Sequence, residues 1–364
     1  MLINSHRYDT HIFISLINES HLFEISNIMG KTSLIRVEGA SLGGLVTSER
    51  TLAFAPFCRR ENSIYKPSNL AVQVTPTGAY LLEWDPSIST YTESASWIAK
   101  DNISQVGNTP LEVVSASINN SQVALALSGG RIVVLCIENN ADRFRQLMFV
   151  VSWSQVLRLL LTKKNRTYST QSEISAITIL PLDPTKNFSA VLTVAYWRTK
   201  SVQIFNLVGG TLVSDDQKRS PPLPAVVRSL LLYKFIPEQS PEGTAKANST
   251  NAHEGNQKAP EAPEKQEDYV YLLAGLGDGS VATLRWKDAE LTEEEKAKNE
   301  KKKKILTDLK IVSLGNAPVS FTPCVVDDTK CVFAAGNKST IFFSDNGRLA
   351  NSSITLKVRN PCYL

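Results

Sequence analysis

Apolar runs broken by short polar turns recur along the chain. HIFISLINESHLFEI (11–25), LAVQVTPTGAYLLEW (70–84) and QVALALSGGRIVVLCI (122–137) share this form. AVLTVAYWRTKSVQIFNL (190–207), YVYLLAGLGDGSVATLRW (269–286) and CVFAAGNKSTIFF (331–343) repeat it. Short β-branched and aromatic runs bounded by Gly, Pro, Asn or Ser predict two strands and a tight turn. Stretches of helical period are scarce. VSWSQVLRLLLTKK (151–164) is the one moderate candidate, and it reads equally as a strand pair.

The six hairpins begin at residues 11, 70, 122, 190, 269 and 331. Each interval has room for two further strands. Blade repeats run roughly 40–50 residues plus loops, so the spacing predicts an all-β chain folded as a β-propeller with six blades present. A two-sheet sandwich predicts turn signals every 8–12 residues or so and no long period, and it fits less well.

Gly275, Gly277 and Gly279 test this reading, because a Gly-rich turn also cradles phosphates. A dinucleotide fingerprint needs a third glycine at position 280 and a helix after it. Position 280 is serine, and SVATLRW follows with Val281, Thr283 and Arg285 on one face of a strand and Ala282, Leu284 and Trp286 on the other. Asp278-Gly279 therefore reads as a hairpin turn.

Two segments break the repeat. Residues 238–268 hold seven acids, three lysines and almost no large apolar groups. Such a stretch cannot offset its ordering entropy, so a disordered loop is expected. Residues 288–304, DAELTEEEKAKNEKKKK, place Glu294 four before Lys298 and Glu300 four before Lys304, which supports a charged helical insertion. Its lysine cluster also has the composition of a nuclear import signal.

The formal net charge is +4 over 364 residues; with the acidic loop at −4, the remainder carries +8, thinly spread. That is well short of a dedicated nucleic-acid binder. Five cysteines at irregular spacing, without a CxxC, read as reduced thiols in the cytosol or nucleus. No apolar run approaches the roughly 20 residues of a membrane helix. Asn-x-Ser/Thr triplets, Asn119 among them, carry no meaning without a secretory route.

Motifs for chemistry fail on context. Gly39-Ala40-Ser41-Leu42-Gly43 matches a nucleophile elbow, but no helix start follows, and the only later histidine, His253, lies in the acidic loop. Gly30-Lys31-Thr32 lacks the earlier glycine of a phosphate loop, since position 25 is Ile25. Cys324 and Cys331 have no second pair to complete a zinc site. No catalytic residue, cofactor or metal is expected.

Several hairpins carry a resemblance. LAGLGDGSVATL (273–284), the Leu314-Gly315-Asn316-Ala317-Pro318 turn, TIFFSDNGRLANSSITLKVRN (340–360), AVQVTPTGAYLLEW and SEISAITILPL lie in an order that resembles the second β-propeller of one superfamily. It holds the large damaged-DNA-binding and cleavage-and-polyadenylation factor subunits and a splicing-factor paralogue. The stretch FFSDNGRLANSSITL and the spacing from Glu173 to Trp197 look nearest to the branch that serves as adaptor of type-4 cullin-RING ubiquitin ligases. The likeness runs from about residue 9 to the end, and the two insertions fall at loops of the pattern.

The resemblance implies a fragment, one incomplete propeller with about six of seven blades, which alone folds poorly or associates through open strand edges. It implies a nuclear or cytoplasmic non-catalytic scaffold linked to DNA repair, which docks the N-terminal helices of a cullin and meets substrate receptors and the other domains of the full-length adaptor. Glu173, at the start of a strand, and Trp197, in the turn of the next hairpin, match docking positions of that family. Trp197 at a hairpin tip beside Arg198 and Lys200 reads as exposed, or as folded back over its own blade. An RNA-processing subunit that contacts RNA, and a propeller hydrolase or lyase, are the other readings.

Overall fold

In a computed structural model of the chain, the residues described are 4–8, 11–15, 20–28, 31–37, 45–46, 48–61, 64–85, 87–88, 90–103, 111–137, 144–147, 173–182, 186–208, 211–235, 269–288, 304–326, 329–345 and 348–354. They form six four-stranded sheets, each an antiparallel meander in chain order.

The first sheet is β1 (Asn4–Tyr8), β2 (His11–Ser15), β3 (Ser20–Ile28) and β4 (Lys31–Val37), and the second is β5 (Ala53–Glu61), β6 (Ile64–Val74), β7 (Gly78–Asp85) and β8 (Thr90–Ile98). The third is β9 (Val113–Ile118), β10 (Gln122–Leu127), β11 (Arg131–Ile137) and β12 (Phe144–Leu147), and the fourth is β13 (Ile174–Thr178), β14 (Val191–Tyr196), β15 (Val202–Val208) and β16 (Thr211–Arg219). The fifth is β17 (Val227–Phe235), β18 (Tyr269–Leu276), β19 (Ser280–Asp288) and β20 (Lys304–Ser313), and the sixth is β21 (Ser320–Val326), β22 (Thr329–Ala335), β23 (Ser339–Asp345) and β24 (Arg348–Ile354). A single turn, α1 (Ala99–Asn102), is the helix among the described residues, none of which is long and apolar enough to cross a membrane.

The first strands of successive sheets are neighbours: β1 with β5, β5 with β9, β9 with β13, β13 with β17, β17 with β21. The sheets thus fan out from a common axis as the blades of a propeller. Each hairpin expected from the sequence is the middle pair of strands of one blade. In the second to fifth blades these strands have a neighbour on both edges and a blade on each face, so they read as apolar runs. All six residues of β10 are buried. Val123, Leu125 and Leu127 pack toward the second blade, Ala124 and Ala126 toward the fourth. In β19, Ala282, Leu284 and Trp286 join the core shared with the fourth blade, while Val281 faces the sixth. The outer strand β8 is buried only at Thr90, Tyr91 and Trp97, and exposes Thr92, Glu93 and Ser96.

Asp278 and Gly279 form the expected turn. Gly279 has φ +82°, and its N–H donates to the Leu276 carbonyl at 3.1 Å. Ser280, where a fingerprint would have glycine, donates to the Asp278 carboxylate from its N–H at 3.0 Å and its hydroxyl at 2.6 Å.

Polar clips join adjacent blades. Asn119 is 5% exposed. Its amide donates to the Ile179 carbonyl at 2.9 Å and to Gln122 Oε1 at 2.8 Å, and its Oδ1 accepts the N–H groups of Ser121 at 2.9 Å and Gln122 at 2.7 Å. Gln122 Oε1 in turn accepts the Ser189 N–H at 2.7 Å. The acidic loop 238–268, the charged stretch 289–303, the segment 151–164 and the Gly39–Gly43 motif lie outside the described residues. Asp288 closes β19 and Lys304 opens β20, and the two pair across the ladder.

Candidate docking turn

A hydrogen bond repeats from blade to blade where the second strand ends. The first residue after that strand donates its N–H to the carbonyl of the residue just before the first strand. In the fifth blade Gly277 donates to Val226 at 2.7 Å, in the third Ser128 donates to Glu112 at 2.8 Å, and in the fourth Trp197 donates to Glu173 at 3.0 Å. The bond ties the start of a blade to its middle turn and uses only backbone atoms. Serine, tryptophan and glycine all serve, so the fold does not call for an indole at this position.

The fourth-blade turn is built by Tyr196–Ser201 and Thr199–Ser201 bonds. The Tyr196 N–H donates to the Ser201 carbonyl at 3.0 Å, and the Thr199 and Ser201 hydroxyls share a hydrogen bond at 2.8 Å. Lys200 takes φ 47°, its carbonyl accepts the Leu223 N–H at 2.8 Å, and its ammonium donates to the Pro224 carbonyl at 3.2 Å. The segment leading into the fifth blade thus braces the turn.

Trp197 projects from this turn and is 37% exposed. Its ring does not lie over its own blade alone. The Arg228 guanidinium, from the second position of β17 in the next blade, stands 4.3 Å from the ring centroid. That is a cation–π contact. Glu173, Arg198, Lys200 and Arg228 are all exposed. The turn thus presents one exposed aromatic ring with the Arg228 guanidinium over it.

The two residues expected from the sequence, Glu173 and Trp197, are therefore brought together, and Arg228 joins them. Arg228 was invisible in the sequence because the blade boundary lies between it and Trp197. Its only signal is a charged residue at the head of the largely buried run VRSLLLYKF. On the same face, a recess of about 480 Å³ opens beside the second-blade turn, lined by Glu49, Arg50, Thr77, Lys100 and Glu112 among others. Its charges are mixed, and Thr77 donates to the Glu49 carboxylate at 3.1 Å.

Six antiparallel four-stranded meanders around one axis define the chain as a β-propeller. The chain belongs to the RSE1/DDB1/CPSF1 second beta-propeller family, whose model matches residues 3–362. It is 26% identical over 353 residues to DNA damage-binding protein 1 of Solanum lycopersicum, covering 96% of this chain and 24% of that protein. It is 25% identical over 350 residues to DNA damage-binding protein 1a of Arabidopsis thaliana, with 96% and 24% covered. DNA damage-binding protein 1 of Oryza sativa subsp. japonica is 25% identical over 353 residues, with 97% and 24% covered. The chain spans about a quarter of the length of these relatives.

Proposed function

We propose that this propeller is a non-catalytic docking scaffold of a cullin-RING ubiquitin-ligase adaptor serving DNA repair in the nucleus, and that the turn of Glu173, Trp197 and Arg228 receives the N-terminal helices of the cullin. The observation that carries this reading is Trp197. It stands exposed at a position that the third blade fills with Ser128 and the fifth with Gly277, and Trp is enriched among the residues that dominate binding energy at interfaces. The similarity to DNA damage-binding proteins supports it.

Titration calorimetry of the chain against an N-terminal cullin fragment tests the reading. Trp197→Ala is expected to cost on the order of 2 kcal/mol, a typical hot-spot loss and about a 30-fold weaker affinity. Glu173→Ala costs less. Unchanged binding by the double substitution sinks the reading.

The second reading is an RNA-processing subunit, favoured by the family's breadth and by an exposed ring with the Arg228 guanidinium over it. That combination also suits single-stranded RNA, where bases stack on aromatics and phosphates meet cations. Under this reading, the chain binds a single-stranded RNA with an affinity that falls steeply with salt, and the cullin titration is flat.

A further inference from the structure

We propose that Cys324 and Cys331 form a reversible dithiol site that small-molecule disulfides of the glutathione type close into an intramolecular disulfide. This inference is independent of the docking turn and concerns the sixth blade.

The two cysteines are direct cross-strand partners in the β21–β22 hairpin. A two-residue connection fixes that register, since Val326 pairs Thr329 and Val325 pairs Lys330 before Cys324 meets Cys331. Directly opposed residues of an antiparallel pair have Cα atoms about 4.5 or 5.5 Å apart. A disulfide accepts about 4.4–6.8 Å. Both side chains leave the same face of the sheet, because opposed residues do so. Both sulfurs are free thiols. Both also lie within electrostatic reach of the Tyr233 phenol, whose pKa is raised by burial first and then by the two thiols.

The sites differ in access. Cys331 is 4% exposed, and its S–H donates to the Thr329 carbonyl at 3.4 Å. Burial, and then the neighbouring Cys324, push its pKa up. Cys324 is half-buried on a strand that exposes Thr322, Pro323 and Val325. Cys324 is therefore the entry point. Its thiolate attacks one sulfur of oxidised glutathione, and one glutathione thiolate leaves. Cys331 then loses its proton and attacks Cys324 Sγ in the mixed disulfide, and the second glutathione leaves. The two protein thiols are oxidised by two electrons and glutathione disulfide is reduced to two thiols. Burial of Cys331 also keeps a second glutathione off the site. The closed form pins the exposed first strand of the blade to its neighbour.

The test equilibrates the full chain in buffers of reduced and oxidised glutathione, traps free thiols by alkylation and maps the peptides by mass spectrometry. The expected product is an internal Cys324–Cys331 link that dithiothreitol reverses. In the same buffers, Cys331→Ser retains glutathione on Cys324, and Cys324→Ser leaves Cys331 fully alkylated. Circular dichroism confirms that both variants fold; if one does not, the wild-type map decides alone. Wild-type chain in which both cysteines remain alkylatable, or in which glutathione stays on Cys324, overturns the proposal.

Discussion

The backbone N–H of Trp197 donates to the carbonyl of Glu173 at 3.0 Å, so two residues that flank different strands of the fourth blade share one spot on its surface. The bond fixes the turn without using either side chain. Docking and stability are therefore separable here. Trp197→Ala is expected to leave the unfolding midpoint in urea almost unchanged. The ring's contact with Arg228 adds a small term, about 0.5–1 kcal/mol for an exposed cation–π pair. A double-mutant cycle of Trp197→Ala and Arg228→Ala in urea should return a coupling of that size. A coupling near zero would mean that the guanidinium does not hold the ring.

Gly277 and Gly279 flank Asp278 in one turn, yet they answer to different constraints. Gly279 has φ +82°, and a Cβ there would sit 2.7 Å from the Cα of Asn316, inside van der Waals contact. The left-handed conformation alone costs a non-glycine residue of order 1–3 kcal/mol. A Cβ on Gly277 would meet nothing nearer than the Val226 carbonyl oxygen at 3.4 Å, an ordinary contact. Gly279→Ala should lower stability by about 2 kcal/mol or more, and Gly277→Ala by well under 1. Equal losses in urea unfolding would refute the distinction.

The middle strands of the inner blades were legible because burial on both faces writes long apolar runs, as in QVALAL of β10. Outer strands such as β8, with Thr92 and Glu93 in solvent, leave a weaker pattern, and sequence reading supplied only the room for them. Glu173 and Trp197 were legible as residue types at the ends of predicted strands. Their hydrogen bond and the reach of Arg228 across the blade boundary were not, since both depend on how the chain returns to the axis. Asn119 shows the same limit. Its sequence triplet carries no structural signal, whereas the structure buries it as a clip between the third and fourth blades.

Asn119 therefore yields a stability prediction. Its side chain satisfies the N–H groups of Ser121 and Gln122 and the Ile179 carbonyl. Asn119→Ala leaves these groups without that partner in a buried setting, where each orphan costs about 1–3 kcal/mol. The expected loss is about 3 kcal/mol, read from urea unfolding followed by intrinsic fluorescence. A loss below about 1 kcal/mol would show that the blades stay joined without the clip.

Asp278 supplies a pH dependence. The Ser280 hydroxyl bonds the carboxylate and holds its pKa below the usual aspartate value; burial pushes the other way, and the Ser280 N–H lowers it further. A carboxylate whose folded pKa lies below its unfolded one stabilises the fold when ionised. That contribution is complete above the unfolded pKa, near 3.9, and disappears as pH falls through the folded value. Asp278→Asn keeps the shape of the turn and removes the titration. The wild type should therefore be the more stable of the two at neutral pH by a small margin, because the turn is exposed and solvent screens the charge. The margin should narrow below about pH 4. Urea unfolding of both proteins from pH 7 down to about pH 3 reads it directly. A margin that stays constant over that range would show that the Asp278–Ser280 bonds do not act through the ionised carboxylate.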